Sequence, residues 1–337
     1  MAMVSRLDKV IKGKIACAKR FVVYGPEGVG KSSLAADSPS PIFFDVDDGS
    51  AGIDVPRYKF RDEPSGYVPL TYEEVLSAIE DLTENPHGYQ TLVIDTADRL
   101  ESLLWRYVVQ HESGRKSAMN KGGVSFESVL DLGYGNGFSL AVEEWRRLTK
   151  KLDELRMKRN MAIIILAHAQ IRTFKNPLGE DYDQYSLRVH EKAGAYLREW
   201  ADVTGFACYE ETSGKLKGDE EGRAKGYSTG QRLLKLAKTA TYFAKTRLAL
   251  PDQVELEPAH PWAPLATAVV DSDAHTPATL AAAIEVELSR LGDEDVATKA
   301  RVFVAKGIAE NDKGALSRVL NRLRSLKAKD PQTDKAA

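Results

Sequence analysis

The chain has 337 residues, of which 43% are hydrophobic and 28% charged, and its formal net charge is −2. This composition is typical of a globular protein and excludes a uniformly basic surface, so any nucleic-acid contact must come from local patches. The two cysteines, Cys17 and Cys208, exclude a zinc site of CxxC spacing and a disulfide framework. Neither a secretion signal nor a membrane-length apolar stretch is visible, so we expect a cytoplasmic protein with no membrane partner.

The first apolar segment, Arg20 to Tyr24, predicts a strand that stops at Gly25. The sequence GPEGVGKS that follows fits the pattern GxxxxGK[ST], and a short helix is predicted from Lys31. Glycines let backbone N–H groups turn towards phosphate oxygens, and Lys31 reaches the outer phosphates, while Ser32 is a predicted Mg²⁺ ligand. The predicted nucleotide-binding residues are Gly25, Pro26, Glu27, Gly28, Val29, Gly30, Lys31, Ser32 and Ser33.

Two further predicted strands end in acids. The segment PIFFDVD, from Pro41 to Asp47, is followed after a predicted helix by TLVIDT, which begins at Thr91 and reaches Asp95. The carboxyl end of a parallel strand is where a magnesium-organising acid belongs, so Asp95 is the second predicted metal ligand. Asp47 is our candidate for positioning the attacking water, and period-two alternation puts Asp45 on the same side.

Later segments complete an alternation of strands and helices, which favours a mainly parallel sheet. Helices are predicted from about Asp98 to Gln110 and from Ser139 to Lys158, and AIIILAH is a buried strand that ends at His168, a candidate γ-phosphate sensor. From Val203 onwards the pattern predicts antiparallel strands. We predict a core over residues 1–255, a Pro- and Ala-rich linker over 256–276, a helical domain over 277–330 and a disordered tail over 331–337.

Together, the P-loop and the segments DVDDG, LVIDT, LAH and KTR resemble the RecA-like core of phage-type AAA family ATP-binding proteins. The chain is most similar to phage recombination proteins that anneal single-stranded DNA, over about residues 15–255. This resemblance implies an α/β fold: a RecA-like P-loop NTPase core with a mainly parallel sheet, late antiparallel strands and a small helical C-terminal extension. It implies ATP and Mg²⁺ as cofactors, a DNA-dependent ATPase activity, and the host cytoplasm if a phage encodes the chain.

The resemblance also implies catalytic roles. Asp47 stands where RecA-like ATPases usually carry a glutamate, and His168 replaces a glutamine sensor, which makes Lys31, Asp47, Asp95 and His168 the predicted catalytic set within one chain. The Lys-x-Arg of the late strand, Lys245 and Arg247, resembles the pair that many RecA-like rings and filaments insert into a neighbour's ATP site. A homo-oligomer, ring or filament, is therefore expected.

Single-stranded DNA is expected at two long polar segments, residues 111–137 and the segment QIRTFKNPLGEDYDQYSLRVHEK after His168, because cations and aromatic rings suit sequence-tolerant binding. The candidate DNA-binding residues are Arg115, Lys116, Lys121, Arg172, Phe174, Lys175 and Arg188. Residues 301–329 contain eight basic and two acidic residues, so the tail is a candidate contact for DNA or for a recombination partner such as a single-strand-binding protein. Two alternatives stay open: a P-loop kinase in which Asp45 or Asp47 engages an acceptor, and a non-hydrolysing ATP switch that controls oligomerisation.

Overall fold

The computed structural model describes residues 17–115, 121–214 and 225–270, and, towards the C-terminus, residues 281, 284, 285, 287, 288, 291, 294–309, 316, 319 and 323. Backbone contacts divide the chain into two compact units, Ala18–Val269 and a second made of Met1–Cys17 with Val270–Ala337.

A nine-stranded sheet forms the centre of the first unit. Its strands are β1 (Arg20–Gly25), β2 (Pro41–Asp45), β3 (Thr91–Asp95), β4 (Ala162–Phe174), β5 (Tyr182–Leu187), β6 (Val203–Gly214), β7 (Lys225–Lys235), β8 (Lys245–Thr246) and β9 (Gln253–Glu255). The order is β2-β3-β4-β1-β6-β7-β9, with β5 beside β4 and β8 beside β6. Strands β2, β3, β4, β1 and β6 are parallel, and β5, β7, β8 and β9 join antiparallel.

Helices cover both faces of this sheet. They are α1 (Lys31–Ala36), α2 (Tyr72–Glu84), α3 (Ala97–Glu112), α4 (Asn136–Arg159), α5 (Glu191–Trp200) and α6 (Ala263–Val270), with a 3-10 turn at Val129–Leu132. The capping box expected from Thr71 and Glu74 is present at the start of α2, where each side chain accepts a backbone N–H of the other residue. Such a cap satisfies N–H groups that the first helical turn would otherwise leave unpaired.

The parallel strands are buried on both faces, which is why they read as continuous apolar runs in the sequence. In β1, Val22 and Tyr24 face the core formed with α2 to α5, whereas Phe21 and Val23 face the core on the side of α1 and α6. Every residue of β3 is buried. This is the α/β architecture expected from the sequence, with a mainly parallel sheet and late antiparallel strands.

The structure differs from the sequence reading in the segment after His168. Strand β4 continues to Phe174 and pairs with β5 from Ala169↔Leu187 to Phe174↔Tyr182, so a β-hairpin stands where a long polar loop was expected. Cross-strand pairs explain it: the rings of Phe174 and Tyr182 lie 5.1 Å apart, and Thr173 donates to Asp183. We name residues 169–187 the β4–β5 hairpin.

The core also extends beyond residue 255, where a linker was expected to begin. Leu256, Trp262 and Leu265 are buried against α1 and the sheet, and the ring of Trp262 packs edge-on against Phe21 with 5.2 Å between the ring centroids. The backbone N–H of Trp262 donates to Asp37 at 3.0 Å. The Pro- and Ala-rich composition that suggested a linker belongs in part to a packed segment with its own helix, α6.

The second unit is helical where it is described. Helix α7 spans Glu294–Ala309, and its Ala297, Ala300 and Val304 pack with Ile284, Leu288, Leu291, Leu316 and Leu323 in a separate apolar cluster. Arg301 forms a double hydrogen bond with Glu285. Residues 324–337, including the expected tail, and most of the basic stretch lie outside the described residues. Among the helices that the structure describes, none is both long and apolar enough to cross a membrane.

Candidate nucleotide-binding site

The carboxyl edge of the parallel strands gathers the predicted phosphate and metal residues. The register pairs Gly25 with His168 and Asp45 with Asp95, so the P-loop, the sensor candidate and the acids all begin at the same edge of the sheet. Ligands in open α/β sheets usually bind at this edge, outside the carboxyl ends of the strands. Sequence positions far apart therefore meet here because of strand order.

The P-loop backbone has the shape that its glycines predict. Gly28 and Gly30 have φ angles of +75° and +94°, in the left-handed region that glycine adopts without steric cost. Gly30 is the N-cap of α1, and no side chain caps that helix, so its first-turn N–H groups are not used by a capping residue. A Cβ at Gly25 would lie 2.2 Å from the carbonyl oxygen of Ala207, so the loop starts pressed against β6.

Lys31, Ser32 and Asp95 form the centre of the site. The buried Lys31 ammonium donates to the carbonyl oxygens of Gly25 and Pro26 at 3.0 and 2.8 Å, and the Ser32 hydroxyl donates to Asp95 at 2.6 Å. Burial lowers the pKa of Lys31, and the carboxylates of Asp95 and Asp98 oppose that effect. Burial raises the pKa of Asp95 to about 6, although the Ser32 hydrogen bond opposes it.

These residues fit a magnesium nucleoside triphosphate. In the described part of the chain, the buried Thr96 hydroxyl beside Asp95 has no hydrogen-bond partner. No cluster of three or more His, Cys, Asp or Glu side chains suited to a metal occurs among the described residues. A hydroxyl and one carboxylate suit Mg²⁺, which commonly takes few protein ligands and relies on phosphate oxygens and water. The donor set therefore matches a metal that arrives with its nucleotide.

The acids Asp45, at the end of β2, and Asp47, just after it, have different environments. Asp45 is fully buried and accepts from the backbone N–H groups of Gly49 and Ser50 and from the Ser50 hydroxyl, so it organises the loop after β2. Asp47 lies beyond the strand end and forms an ion pair with Arg99, with 2.9 Å between Nε and Oδ1. Its backbone N–H donates to the carbonyl of Asp95 at 3.1 Å. Of the two, Asp47 keeps an accessible carboxylate near the metal candidates.

A hydrogen-bonded network joins His168 to the P-loop through Asp98. The Asp98 carboxylate accepts from the backbone N–H of His168 at 3.1 Å, from its Nδ1 at 3.0 Å and from Arg188 Nη2 at 3.1 Å. Arg188 Nη1 in turn lies 3.5 Å from Glu27 Oε1. Burial acts to raise the pKa of Asp98, but the hydrogen bonds from His168 and Arg188 outweigh it and keep that pKa well below its ordinary value.

A family model described as an AAA domain (AAA_24) matches residues 18–248. The chain belongs to this AAA domain family. The match covers the whole nucleotide-binding edge and strands β1 to β8, so the chain has a P-loop ATPase core, and P-loop ATPases of this type generally use ATP and Mg²⁺. The comparison with curated proteins finds no match.

Among solved structures, this AAA domain is similar to one titled "Crystal structure of the RadB recombinase", with 12% sequence identity and a TM-score of 0.35. That likeness covers 76% of the present chain and 94% of the RadB chain. At such a score the superposition is loose, and the fold class follows instead from the strand order described above.

Lys245 and Arg247 lie near the amino ends of the parallel strands, whereas the P-loop lies at their carboxyl ends. In strand β8, Lys245 pairs with Thr204 at the amino end of β6, and its ammonium donates to the Glu199 carbonyl at 3.1 Å. Arg247 follows β8, donates to the same carbonyl at 2.9 Å and forms an ion pair with Asp202. Within one AAA domain these two cations are therefore separated from Lys31 by the length of the strands.

The DNA-binding candidates occupy three places. Arg172, Phe174 and Lys175 lie in the β4–β5 hairpin: Phe174 is 38% exposed and Lys175 pairs with Asp181, whereas the half-buried Arg172 guanidinium donates to the Val189 carbonyl at 2.7 Å. Arg115 contacts His111 beyond the end of α3, and Lys121 is exposed in the next segment, while Lys116 lies outside the described residues. Arg188 stands apart from both groups, in the network beside the P-loop.

Two P-loop neighbours were not found from the sequence. Tyr209 of β6 donates its hydroxyl to the Gly28 carbonyl at 3.0 Å, and Arg232 of β7 packs over Tyr209 and against Gly30, where a Cβ would lie 3.0 Å from Nη1. Antiparallel pairing places Tyr209 opposite Arg232, a register that residue spacing alone does not give. The sequence does offer one signal for Asp98, because it is an acid three residues after Asp95. An acid at that position also suits the start of a helix, so the signal alone does not identify a site residue.

Proposed function

We propose that this AAA domain binds and hydrolyses ATP with Mg²⁺, binds single-stranded DNA, and promotes annealing or strand pairing in recombination. The observation that carries the nucleotide part is the cluster of Lys31, Ser32 and Asp95 at one sheet edge, with the Ser32 hydroxyl 2.6 Å from Asp95. The DNA part rests on the β4–β5 hairpin and on the resemblance to annealing proteins.

Each residue of the site has a distinct task in this proposal. The backbone N–H groups from Gly28 to Ser32 bind phosphate oxygens, and Lys31 gives up its two carbonyl contacts to neutralise phosphate charge. Ser32 and Asp95 hold Mg²⁺, which supplies charge neutralisation at the transferring phosphoryl group when bound. Asp47 orients the attacking water. His168 senses the outer phosphate from the end of β4.

The β4–β5 hairpin links that sensor to a candidate DNA surface. It begins at the residue after His168 and carries exposed Ile171, Phe174 and Leu178 together with Arg172 and Lys175. Aromatic rings stack on bases and cations neutralise phosphates, so such a surface suits single-stranded DNA of any sequence. A change at His168 that depends on the bound nucleotide has a short covalent path to these side chains.

The test is ATP hydrolysis by the full chain with and without single-stranded DNA, together with DNA binding at low salt and electron microscopy of the same samples. We expect DNA to stimulate phosphate release in the absence of any acceptor, and Lys31→Ala to abolish it. An absence of single-strand binding with and without ATP would refute the DNA part. Phosphate transfer to an acceptor would favour a kinase instead.

A second candidate is an ATP switch with little hydrolysis. The Arg99–Asp47 ion pair favours it, because a paired aspartate, shorter than glutamate, is a weaker water-positioning group. Asp47→Ala separates the two cases. If Asp47→Ala still anneals DNA and Lys31→Ala does not, annealing requires ATP binding but not hydrolysis. If neither variant anneals DNA, annealing requires hydrolysis.

A further inference from the structure

Arg188 is a predicted DNA contact because it lies within the long polar segment after His168, yet its guanidinium lies at the nucleotide site. The β4–β5 hairpin closes on itself, so residue 188 returns to the strand end at which His168 sits. The backbone N–H of Arg188 donates to the carbonyl of His168 at 2.9 Å. The two residues that flank the hairpin are thus neighbours, and both contact Asp98.

The two ends of the Arg188 guanidinium have unequal partners. Nη2 lies 3.1 Å from the Asp98 carboxylate, which is 8% exposed and also receives two hydrogen bonds from His168. Nη1 faces Glu27 of the P-loop at 3.5 Å, and the Glu27 side chain is 75% exposed. A long contact to an exposed carboxylate contributes little, because solvent screens it and the side chain must be immobilised. The Asp98 contact is an anchor, whereas the Glu27 contact is replaceable.

We propose that Arg188 is a phosphate-binding residue of its own chain's nucleotide site, anchored by Asp98 and donating Nη1 to the outermost phosphate in place of Glu27. This inference rests on the proposed function. A planar guanidinium suits the task because it can keep one carboxylate partner while it offers a second N–H group to an anion. Burial is the main cause that lowers the pKa of Lys31, and the positive charge of Arg188 adds to it.

A consequence concerns discrimination between tri- and diphosphate. A contact that only the outermost phosphate receives strengthens ATP binding and leaves ADP binding nearly unchanged. Because hydrogen bonds to charged groups are stronger than neutral ones, losing this contact weakens ATP binding by about ten- to a hundredfold. Glu27 has the reverse effect, since its carboxylate occupies the same donor before the nucleotide binds.

The experiment measures the dissociation constants of a non-hydrolysable ATP analogue and of ADP, both with Mg²⁺, for the full chain and four variants. Arg188→Ala and Arg188→Lys are compared with Arg106→Ala, an exposed arginine on α3, and with Glu27→Gln. We expect Arg188→Ala to reduce the preference for the ATP analogue over ADP by about tenfold or more, and Arg188→Lys to reduce it less. Arg106→Ala leaves it unchanged, and Glu27→Gln, which removes the competing negative charge, increases it.

Each outcome distinguishes the inference from the proposed function. If the parent chain binds neither nucleotide, the proposed function fails and the inference fails with it. If the parent chain binds both and Arg188→Ala keeps the same preference, the inference alone is wrong. If Arg188→Ala weakens the binding of the ATP analogue and of ADP equally, Arg188 supports the structure of the P-loop. If Arg188→Ala loses only affinity for single-stranded DNA, Arg188 binds DNA. Either result overturns the proposal. Unchanged tryptophan fluorescence verifies that each variant is folded.

Discussion

Replacing Glu101 with glutamine should remove a large part of the pH dependence of stability in the Ala18–Val269 unit. Glu101 lies on α3, is 3% exposed, and accepts from the backbone N–H of His190 at 2.8 Å through one oxygen. Its other oxygen is buried as well. Burial raises the pKa of Glu101 to about 7 from 4.5, although the His190 hydrogen bond opposes that change.

The direction of this pH dependence follows from the number of protons that the folded and unfolded states bind. Between pH 4.5 and 7 the folded state holds a proton on Glu101 that the unfolded chain has released, so the free energy of unfolding falls as pH rises through this window. A tenfold change in an acid dissociation constant corresponds to about 1.4 kcal/mol. The rise in the pKa of Glu101 from 4.5 to about 7 therefore lowers the free energy of unfolding by about 3 kcal/mol between pH 4.5 and pH 8. Glutamine cannot titrate, and the variant should lack this contribution.

The assay is urea denaturation from pH 4.5 to 8.5, followed by tryptophan fluorescence. All four tryptophans, at positions 105, 145, 200 and 262, belong to the Ala18–Val269 unit, so the signal reports this unit. Glu154→Gln, on the exposed side of α4, is the matched control and should keep the parent slope. Parallel pH profiles for the parent chain and Glu101→Gln would show that Glu101 is ionised in the folded state, contrary to this reasoning.

Three other predictions concern the loop, the hairpin and the late strand. Gly25→Ala should lower the free energy of unfolding by about 1–3 kcal/mol in urea, because its Cβ meets a carbonyl oxygen of β6 at 2.2 Å, whereas Gly49→Ala, with open space at that position, should be neutral. Phe174→Ala should weaken single-stranded DNA binding by about tenfold in fluorescence anisotropy, and Ile171→Ala, on the same hairpin but without a π face, should weaken it less. Arg247→Ala should slow ATP hydrolysis at protein concentrations that give oligomers and leave nucleotide affinity unchanged when dilute; equal slowing at all concentrations would contradict a role in trans.

The elements that sequence predicted best are those buried on both faces. Strand β3 is a continuous apolar run ending in Asp95, and all of its residues are buried, so the sequence predicted its place in the sheet, whereas the metal role of Asp95 stays a prediction. The P-loop was recognisable for a different reason: its chemistry requires glycines and a lysine at fixed spacing, and the positive φ angles of Gly28 and Gly30 agree with that requirement.

What sequence missed depends on contacts between distant segments. The β4–β5 hairpin was read as a loop because its residues are largely polar and partly exposed, so apolar alternation gave no signal; cross-strand pairs such as Phe174 with Tyr182 stabilise it instead. Trp262 was assigned to a linker on composition, although it packs on Phe21. The position of Arg188 could be known only after the hairpin had been found, because hairpin closure brings residue 188 back to residue 168.

The two edges of the sheet divide the proposed catalytic residues into two sets. Lys31, Asp47, Asp95, His168 and Arg188 lie at or beside the carboxyl edge, whereas Lys245 and Arg247 lie at the amino edge, next to the start of β6. Strands do not shorten, so no rearrangement that keeps the sheet can bring both sets to one nucleotide within one chain. If Lys245 and Arg247 contact a nucleotide, it belongs to a neighbour. Arg188 would then make discrimination between ATP and ADP a property of the single chain, and assembly would add acceleration of hydrolysis to a site that already distinguishes its ligand.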